Sequence, residues 1–389
     1  MSAMSCTGHA EPFKIALDPS RQLGMTSRHP ARGLLVGAAA LTLCLPAAAT
    51  QAAPAAGWST PDCGTVSGDG AFSYTVDDGN SITPTTTSIT PQAYSHLATL
   101  DREDALVGVT KDTIQISRDA GCSWAVVARP RNLSQYDVAA AGKDVAYVYG
   151  INDQPIYRVD GARVLARSGP AADDGFTGLA ADHRQPNHVV AVDKKGQVYR
   201  SSDGARTWDP VGKAPDTFVY VAAIDPADHD HIVLGSSDGT FTTFDGGLRW
   251  TQSRGLGKHA NVAVFTVAVS PADPMTVWAQ GYDHEQTGNG ARHIWRSVDG
   301  GLHYWPVLDG TEVDLLNGDQ LWPSPADADV LYFEFGTYFG GFGTDLYRYD
   351  DVRESVTHTH SSFDGIDSLA FSPADPAVMY LGLSEVQVD

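Results

Sequence analysis

Apolar residues in this chain fall in short runs separated by polar turns, and the runs return in a fixed order. A first run, such as YVAAI at 220–224 or FTVAV at 265–269, is followed by a turn reading DPAD at 225, or SPAD at 270, 324 and 372. A second run comes next, HIVLG, TVWAQG, VLYFEFG or AVMYLGL in successive copies. A third ends in an aromatic–Arg pair: IYR at 156–158, VYR at 198–200, IWR at 294–296 and LYR at 346–348. Short β-rich runs bounded by Gly, Asp and Pro, with no helical period, predict antiparallel strands joined by tight turns. Four such strands per unit make one blade of a propeller.

After the third strand stands a box, Ser/Thr-x-Asp-x-Gly-x-x-aromatic. Its clear copies are SRDAGCSW, SSDGARTW, TFDGGLRW and SVDGGLHY, centred on Asp119, Asp203, Asp245 and Asp299, with Ala205 in the glycine slot of the second. Weaker copies place Asp77, Asp160 and Asp350 in the same slot, so that consecutive aspartates lie 42, 41, 43, 42, 54 and 51 residues apart. Self-similarity at this interval is a mark of stacked repeats. A turn aspartate accepts backbone N–H groups, glycine supplies positive φ, and the aromatic packs beneath, so these seven aspartates read as structural.

The box resembles the Asp-box, or bacterial neuraminidase repeat, of sialidases, sortilin-type domains, some glucanases and photosystem assembly factors. The resemblance covers about residues 70–389 and implies an all-β, single seven-bladed β-propeller. The last unit stops after its second strand, and FSYTVDDGNSI at 72–82 supplies a third strand and box with no strands before it. The N-terminal strands are therefore expected to complete the C-terminal blade and close the ring, which removes exposed sheet edges. The family's members differ in chemistry, so the box names no reaction.

Upstream, Met25 begins a run with Arg28 and Arg32 before an apolar stretch and small residues after it, which reads as a signal peptide cleaved near Ala49 or Ala52. Residues 1–53 are taken as that leader plus an extension from a mis-assigned start, 54–70 as an N-terminal segment and 71–389 as the propeller. A secreted location, extracellular or periplasmic, follows. Outside the leader the cysteines are Cys63 and Cys122, an even count that in an exported chain predicts one disulfide.

The whole chain carries 26 basic against 47 acidic residues, a net charge of −21. Such a surface repels nucleic acid and anionic membranes. No phosphate loop, EF-hand, zinc helix or C-x-x-C occurs, and neither a cofactor nor a metal site is expected. DHDH at 228–231 and HTH at 358–360 carry metal-ligand residue types, but the first replaces part of a turn of the SPAD kind. GSSDG at 235–239 matches the letters of a hydrolase elbow without the helix that elbow requires.

In a four-stranded meander the turns after strands one and three share one side, the turn face. The turns after strand two and between blades share the other, the loop face. Long segments gather on the loop face, at 281–293 in the fifth blade and 336–345 in the sixth. Their candidate binding residues are Tyr282, Asp283, His284, Glu285, Arg292, Tyr338 and Phe339, aromatics beside charges of the kind macromolecular contacts use. A sialidase would need a Phe-Arg-Ile-Pro motif before the first box, where this chain has only Ala128-Arg129-Pro130 after one. The overall plan is similar to that of secreted Asp-box propellers that act on a neutral metalloprotease by binding it. That resemblance implies a non-catalytic module whose partner is an extracellular protein, a protease; the protein itself is expected to be a monomer. The alternative is a glycoside hydrolase or lyase acting on extracellular glycans through paired carboxylates near the ring axis.

Overall fold

The computed structural model describes residues 57–64, 71–85, 95–130, 136–150, 155–171, 175–257, 261–315, 320–336, 344–362 and 364–385. The leader read from residues 1–53 lies outside them. Among the described residues no helix is long and apolar enough to cross a membrane.

Seven four-stranded antiparallel sheets stand in a ring, each strand paired with its sequence neighbour in six of them. Their inner strands, one per blade, are His96–Thr99, Tyr136–Ala140, Phe176–Ala181, Val219–Ile224, Val262–Val269, Leu321–Pro323 and Asp364–Phe371. The seventh blade is composite: Phe72–Thr75 pairs with Met379–Glu385 in the register Ser73↔Leu381, and Thr83–Pro84 forms the outer edge. The N-terminal strands thus complete the C-terminal blade, as the split repeat predicts.

Apolar faces meet between blades and not at a common centre. Seven hydrophobic clusters are present, each shared by two adjacent sheets, from Val107 and Ile114 against Tyr136 and Val148 between blades one and two to Phe72 and Tyr380 against Leu106 at the closing seam. Each blade is covered on both faces by its neighbours, while the axis is left open.

The closing seam has a strap. Trp58 packs on Tyr380 with ring centroids 6.2 Å apart, and the Ser59 N–H donates to Asp104 at 2.6 Å. Cys63 is bonded to Cys122, with Cα atoms 4.8 Å apart across 59 residues of sequence. The segment before the seventh blade's third strand is thereby tied covalently to the first blade.

The box turns show why the Ser/Thr is there. In the third blade the Ser201 hydroxyl donates to Asp203 Oδ1 at 2.9 Å and accepts the Ala205 N–H at 3.0 Å, while Asp203 accepts the N–H groups of Arg206 and Thr207 and the Thr207 hydroxyl. The same pattern recurs around Asp77, Asp119, Asp245 and Asp299. Asp350 keeps a reduced form, accepting the Arg353 N–H. Asp160 instead ends a tight hairpin, opposite Arg163. In the five full boxes two successive residues have positive φ, such as Gly246 at 71° and Gly247 at 98°. A Cβ on Gly247 would lie 2.6 Å from Val198, so glycine is required there by space as well as by backbone.

Candidate functional site

Where the inner strands converge they enclose an axial cavity of about 630 Å³, to which all seven blades contribute. In four of them the inner strand carries a bulge, and the residue left over is Thr177, Tyr220, Phe265 or Asp367. All four of these line the cavity. A bulge gives one strand an extra residue and re-aims its side chain, which here makes the third, fourth, fifth and seventh blades of a stereotyped ring distinct contributors to the axis.

The cavity has two unlike walls. On one, from the first, second and seventh blades, His96 Nδ1 lies 3.4 Å from Asp137 Oδ1, and the Tyr149 hydroxyl donates to Asp137 Oδ2 at 2.9 Å. Asp367 accepts the Ser95 N–H at 2.9 Å and the Ser384 hydroxyl at 2.8 Å. On the other wall Tyr220 and Phe265 have ring centroids 5.0 Å apart, and exposed Phe218 continues the aromatic row 5.1 Å from Tyr220. Trp322 adds a further ring. Two residues before the turn that ends strand one, six blades carry alanine, at 98, 139, 180, 223, 268 and 370, and the sixth blade carries Trp322.

Electrostatics differ between the two carboxyls. Burial pushes Asp137 up, but the His96 hydrogen bond and charge, with the Val138 N–H and Tyr149 hydroxyl, bring it below the usual carboxylate range. Burial dominates at Asp367 and holds it above that range, against the His96 charge and its two donors. For His96 burial works against the charged ring, and Asp137 followed by Asp367 overcomes it, so the imidazole is raised. Asp137 nonetheless keeps 47% of its side chain exposed, because what it faces is the open axis.

The hairpin at 282–292 belongs to the loop face of the fifth blade. Tyr282 lies against His284 with ring centroids 5.2 Å apart and the planes tilted by 57°, and the Arg292 guanidinium sits 5.9 Å above the Tyr282 ring. Asp283 is buried and shapes the turn, accepting the Glu285 N–H at 3.0 Å and the Gln286 side-chain amide, which also meets His293. His284 and Glu285 are exposed. The structure therefore joins Tyr282, His284 and Arg292 in one cluster, with Asp283 beneath it. Tyr338 and Phe339 lie outside the described residues.

The remaining sequence motifs have other partners. Asp230 pairs with Arg200, His231 stacks on Phe244 at 4.7 Å while its Nε2 meets the Gly300 carbonyl, and burial lowers His229. Among the described residues no three His, Cys, Asp or Glu side chains converge as a metal site would need. Ser237 sits in the turn between Ile232–Ser236 and Gly239–Thr243, and the latter strand leads into a box turn, where a hydrolase elbow would lead into a helix.

Sequence reasoning singled out the hairpin and missed the channel. The signal was present in SHLATL, YDVAAA and IDSLAF, where His96, Asp137 and Asp367 interrupt runs that are otherwise small and apolar. A charged residue in a buried inner strand is uncommon unless it is paired or functional. Which of the chain's carboxylates share the axis depends on the bulges and on ring closure, neither of which is local in sequence.

No family model matches the sequence. A curated protein, the dispase autolysis-inducing protein of Streptomyces mobaraensis, is 42% identical over 372 residues, which span 92% of this chain and 98% of that protein. Among solved structures, the GH74 xyloglucanase from Xanthomonas campestris is similar with a TM-score of 0.57 at 12% identity, over 77% of this chain and 52% of the other. This chain spans about half the length of that enzyme. YCF48 from Cyanidioschyzon merolae is similar with a TM-score of 0.54 at 13% identity, over 76% of this chain and 97% of the other. A structure of YCF48 bound to D1 peptide is similar at 0.55 and 12% identity, over 82% and 99%. At such identities these structures bear on the fold alone.

Proposed function

The chain belongs to the family of the dispase autolysis-inducing protein, and on that premise we propose that it is an exported, non-catalytic Asp-box propeller that binds an extracellular protease and promotes the protease's autolysis. The observation that carries this reading is the 42% identity sustained over 98% of the relative, which leaves no segment of that protein without a counterpart of substantial size. The loop face, where the axial mouth opens and the Tyr282–His284–Arg292 cluster stands, is the binding face. Aromatic and arginine side chains of this kind supply the anchors of protein interfaces.

The test is to incubate the purified protein with dispase and follow intact protease on a gel beside its residual activity. Protease fragments should accumulate faster with this protein than without it, in proportion to the amount added, while the propeller band persists. Dispase that decays at the same rate in both tubes contradicts the proposal.

One observation favours a second reading, a glycoside hydrolase or lyase. Asp137 and Asp367 share a cavity and are pushed in opposite directions from the ordinary carboxylate value, the arrangement an acid–base pair requires. Turnover of any member of a glycan panel that is lost in Asp137→Asn and Asp367→Asn would establish it.

A further inference from the structure

The axial cavity is anionic and aromatic at once. Among the described residues that line it, the side chains that carry charge are His96, Asp137, His183 and Asp367, and none is Lys or Arg. Near the loop-face end His96 offers one positive charge at most to two carboxyls. His183 is engaged elsewhere, with its Nδ1 2.9 Å from Asp101. Carboxylates in a partly enclosed space are costly unless something of opposite charge meets them. Asp137 faces the axis with nearly half its side chain open, so the missing charge can be brought from outside.

The opposite wall selects what kind of cation fits. The bulges in the fourth and fifth blades aim Tyr220 and Phe265 at the axis, and Trp322 stands where the other blades have alanine. A guanidinium or ammonium on an aliphatic stem is attracted both by carboxylates and by aromatic faces, and its stem covers apolar surface.

We propose that the axial mouth receives a lysine or arginine side chain projecting from a polypeptide partner, anchored by Asp137 and Asp367 and flanked by Tyr220 and Phe265. This deepens the protein-binding reading and rests on it. Charge complementarity identifies the occupant: a chain of net charge −21 attracts basic segments and repels nucleic acid and acidic glycans. A neutral sugar would stack on the rings and leave the carboxylates unmatched.

The probe is a capped pentapeptide with a central arginine, Ac-Gly-Ala-Arg-Ala-Gly-NH2, beside the same peptide with citrulline, which keeps the shape and removes the charge. Titration followed by NMR shift changes should show the arginine peptide binding at least about tenfold tighter than the citrulline peptide, with affinity falling as salt is added. Asp137→Asn should lose about tenfold for the arginine peptide and little for citrulline. Because a channel variant could fail to fold, Tyr220→Leu serves as a second variant, since its ring is partly exposed; it too should weaken the arginine peptide while the melting temperature holds. Equal affinity for the two peptides, absence of saturable binding, preference for a neutral oligosaccharide, or folded variants that bind as wild type would each overturn the proposal. Wild type that drives dispase autolysis without binding the peptide removes the channel proposal alone. Peptide binding without any effect on dispase removes the protease reading and leaves the channel standing.

Discussion

Asp203 gathers two backbone N–H groups and two hydroxyls around one carboxylate, with the Thr207 hydroxyl foremost in holding it below the usual carboxylate range. Its partners lie near the surface, where water can replace them, so Asp203→Ala should cost about 1 kcal/mol, measured by denaturant unfolding. The aspartates of these turns were legible because the turn chemistry is local. The hydroxyl two places earlier was visible too, and its reason became clear only once its N–H partner was seen. The channel residues are the contrary case. His96 is raised because Asp137 and Asp367 outweigh burial, so its share of stability is present below the ordinary histidine value and is lost as pH rises through the raised one. Asp137 is lowered, so its share is present above the ordinary carboxylate value and is lost as pH falls through the lowered one. An NMR titration should find the His96 midpoint above about 6.5 in wild type and lower in Asp137→Asn. A midpoint unmoved by that substitution would detach His96 from the cluster.

At the scale of the strand, the aromatic–Arg pair that ends strand three performs a task the repeat did not announce. Arg158 donates to Asn187 at 2.7 Å, Arg200 pairs with Asp230, Arg296 with Asp329 and Asp351, and Arg348 lies 3.5 Å from Asp78. Each reaches a turn of the following blade, so at four of the seven seams an arginine from this position adds a polar clamp to the hydrophobic one, and Arg118 with Asp144 adds another between the first and second blades. The fourth blade has Thr242 in the place of Arg200, and there the Thr242 hydroxyl and His231 reach the Gly301 and Gly300 carbonyls. The tripeptides were plain in the sequence, but their partners lie 29 to 55 residues away, or across the ring closure, and no local pattern gives them. Arg296 is the most buried of these, with its guanidinium 5.3 Å above Trp278. Arg296→Ala strands two carboxylates, and the expected loss is about 2 to 3 kcal/mol, since Asp329 is a third exposed and partly solvated. Arg249→Ala, which removes an exposed partner of Asp245, should leave the unfolding midpoint unchanged and serves as the comparison.

For the whole molecule the decisive event is closure. Six seams join consecutive blades, and the seventh joins the two ends of the propeller sequence through Phe72, Tyr380 and Leu106. The split blade could be counted from the repeat, because a unit missing two strands at one end and a unit missing two at the other add to one. Of the strap, the disulfide followed from the cysteine count, but the contacts of Trp58 and Ser59 did not, because only the closed ring brings their partners near. In the chain-entropy model a disulfide closing a loop of about 60 residues contributes about 4 kcal/mol. Cys63→Ser with Cys122→Ser should lower stability by up to that amount, with the ring retained. Loss of β structure at room temperature in that variant would mean the strap is needed for folding and not only for stability.

The long segments in the sequence point to the loop face, and the structure supplies a rival to it. Phe244, Leu248, Met275 and Val298 are 47%, 63%, 43% and 49% exposed on the turn face of the fourth and fifth blades. A Cβ on Gly300 would lie 2.6 Å from Phe244 and 3.3 Å from Met275, which places those two side chains together. An apolar patch of this kind is a binding surface in its own right. The measurement that decides is the affinity of dispase, held inactive by a chelator, for three proteins: wild type, Tyr282→Ala with Arg292→Ala on the loop face, and Phe244→Ala with Met275→Ala on the turn face. The loop-face variant should lose about tenfold or more, while the turn-face variant binds as wild type does. A loop-face variant that binds normally beside a turn-face variant that does not would contradict the loop-face reading.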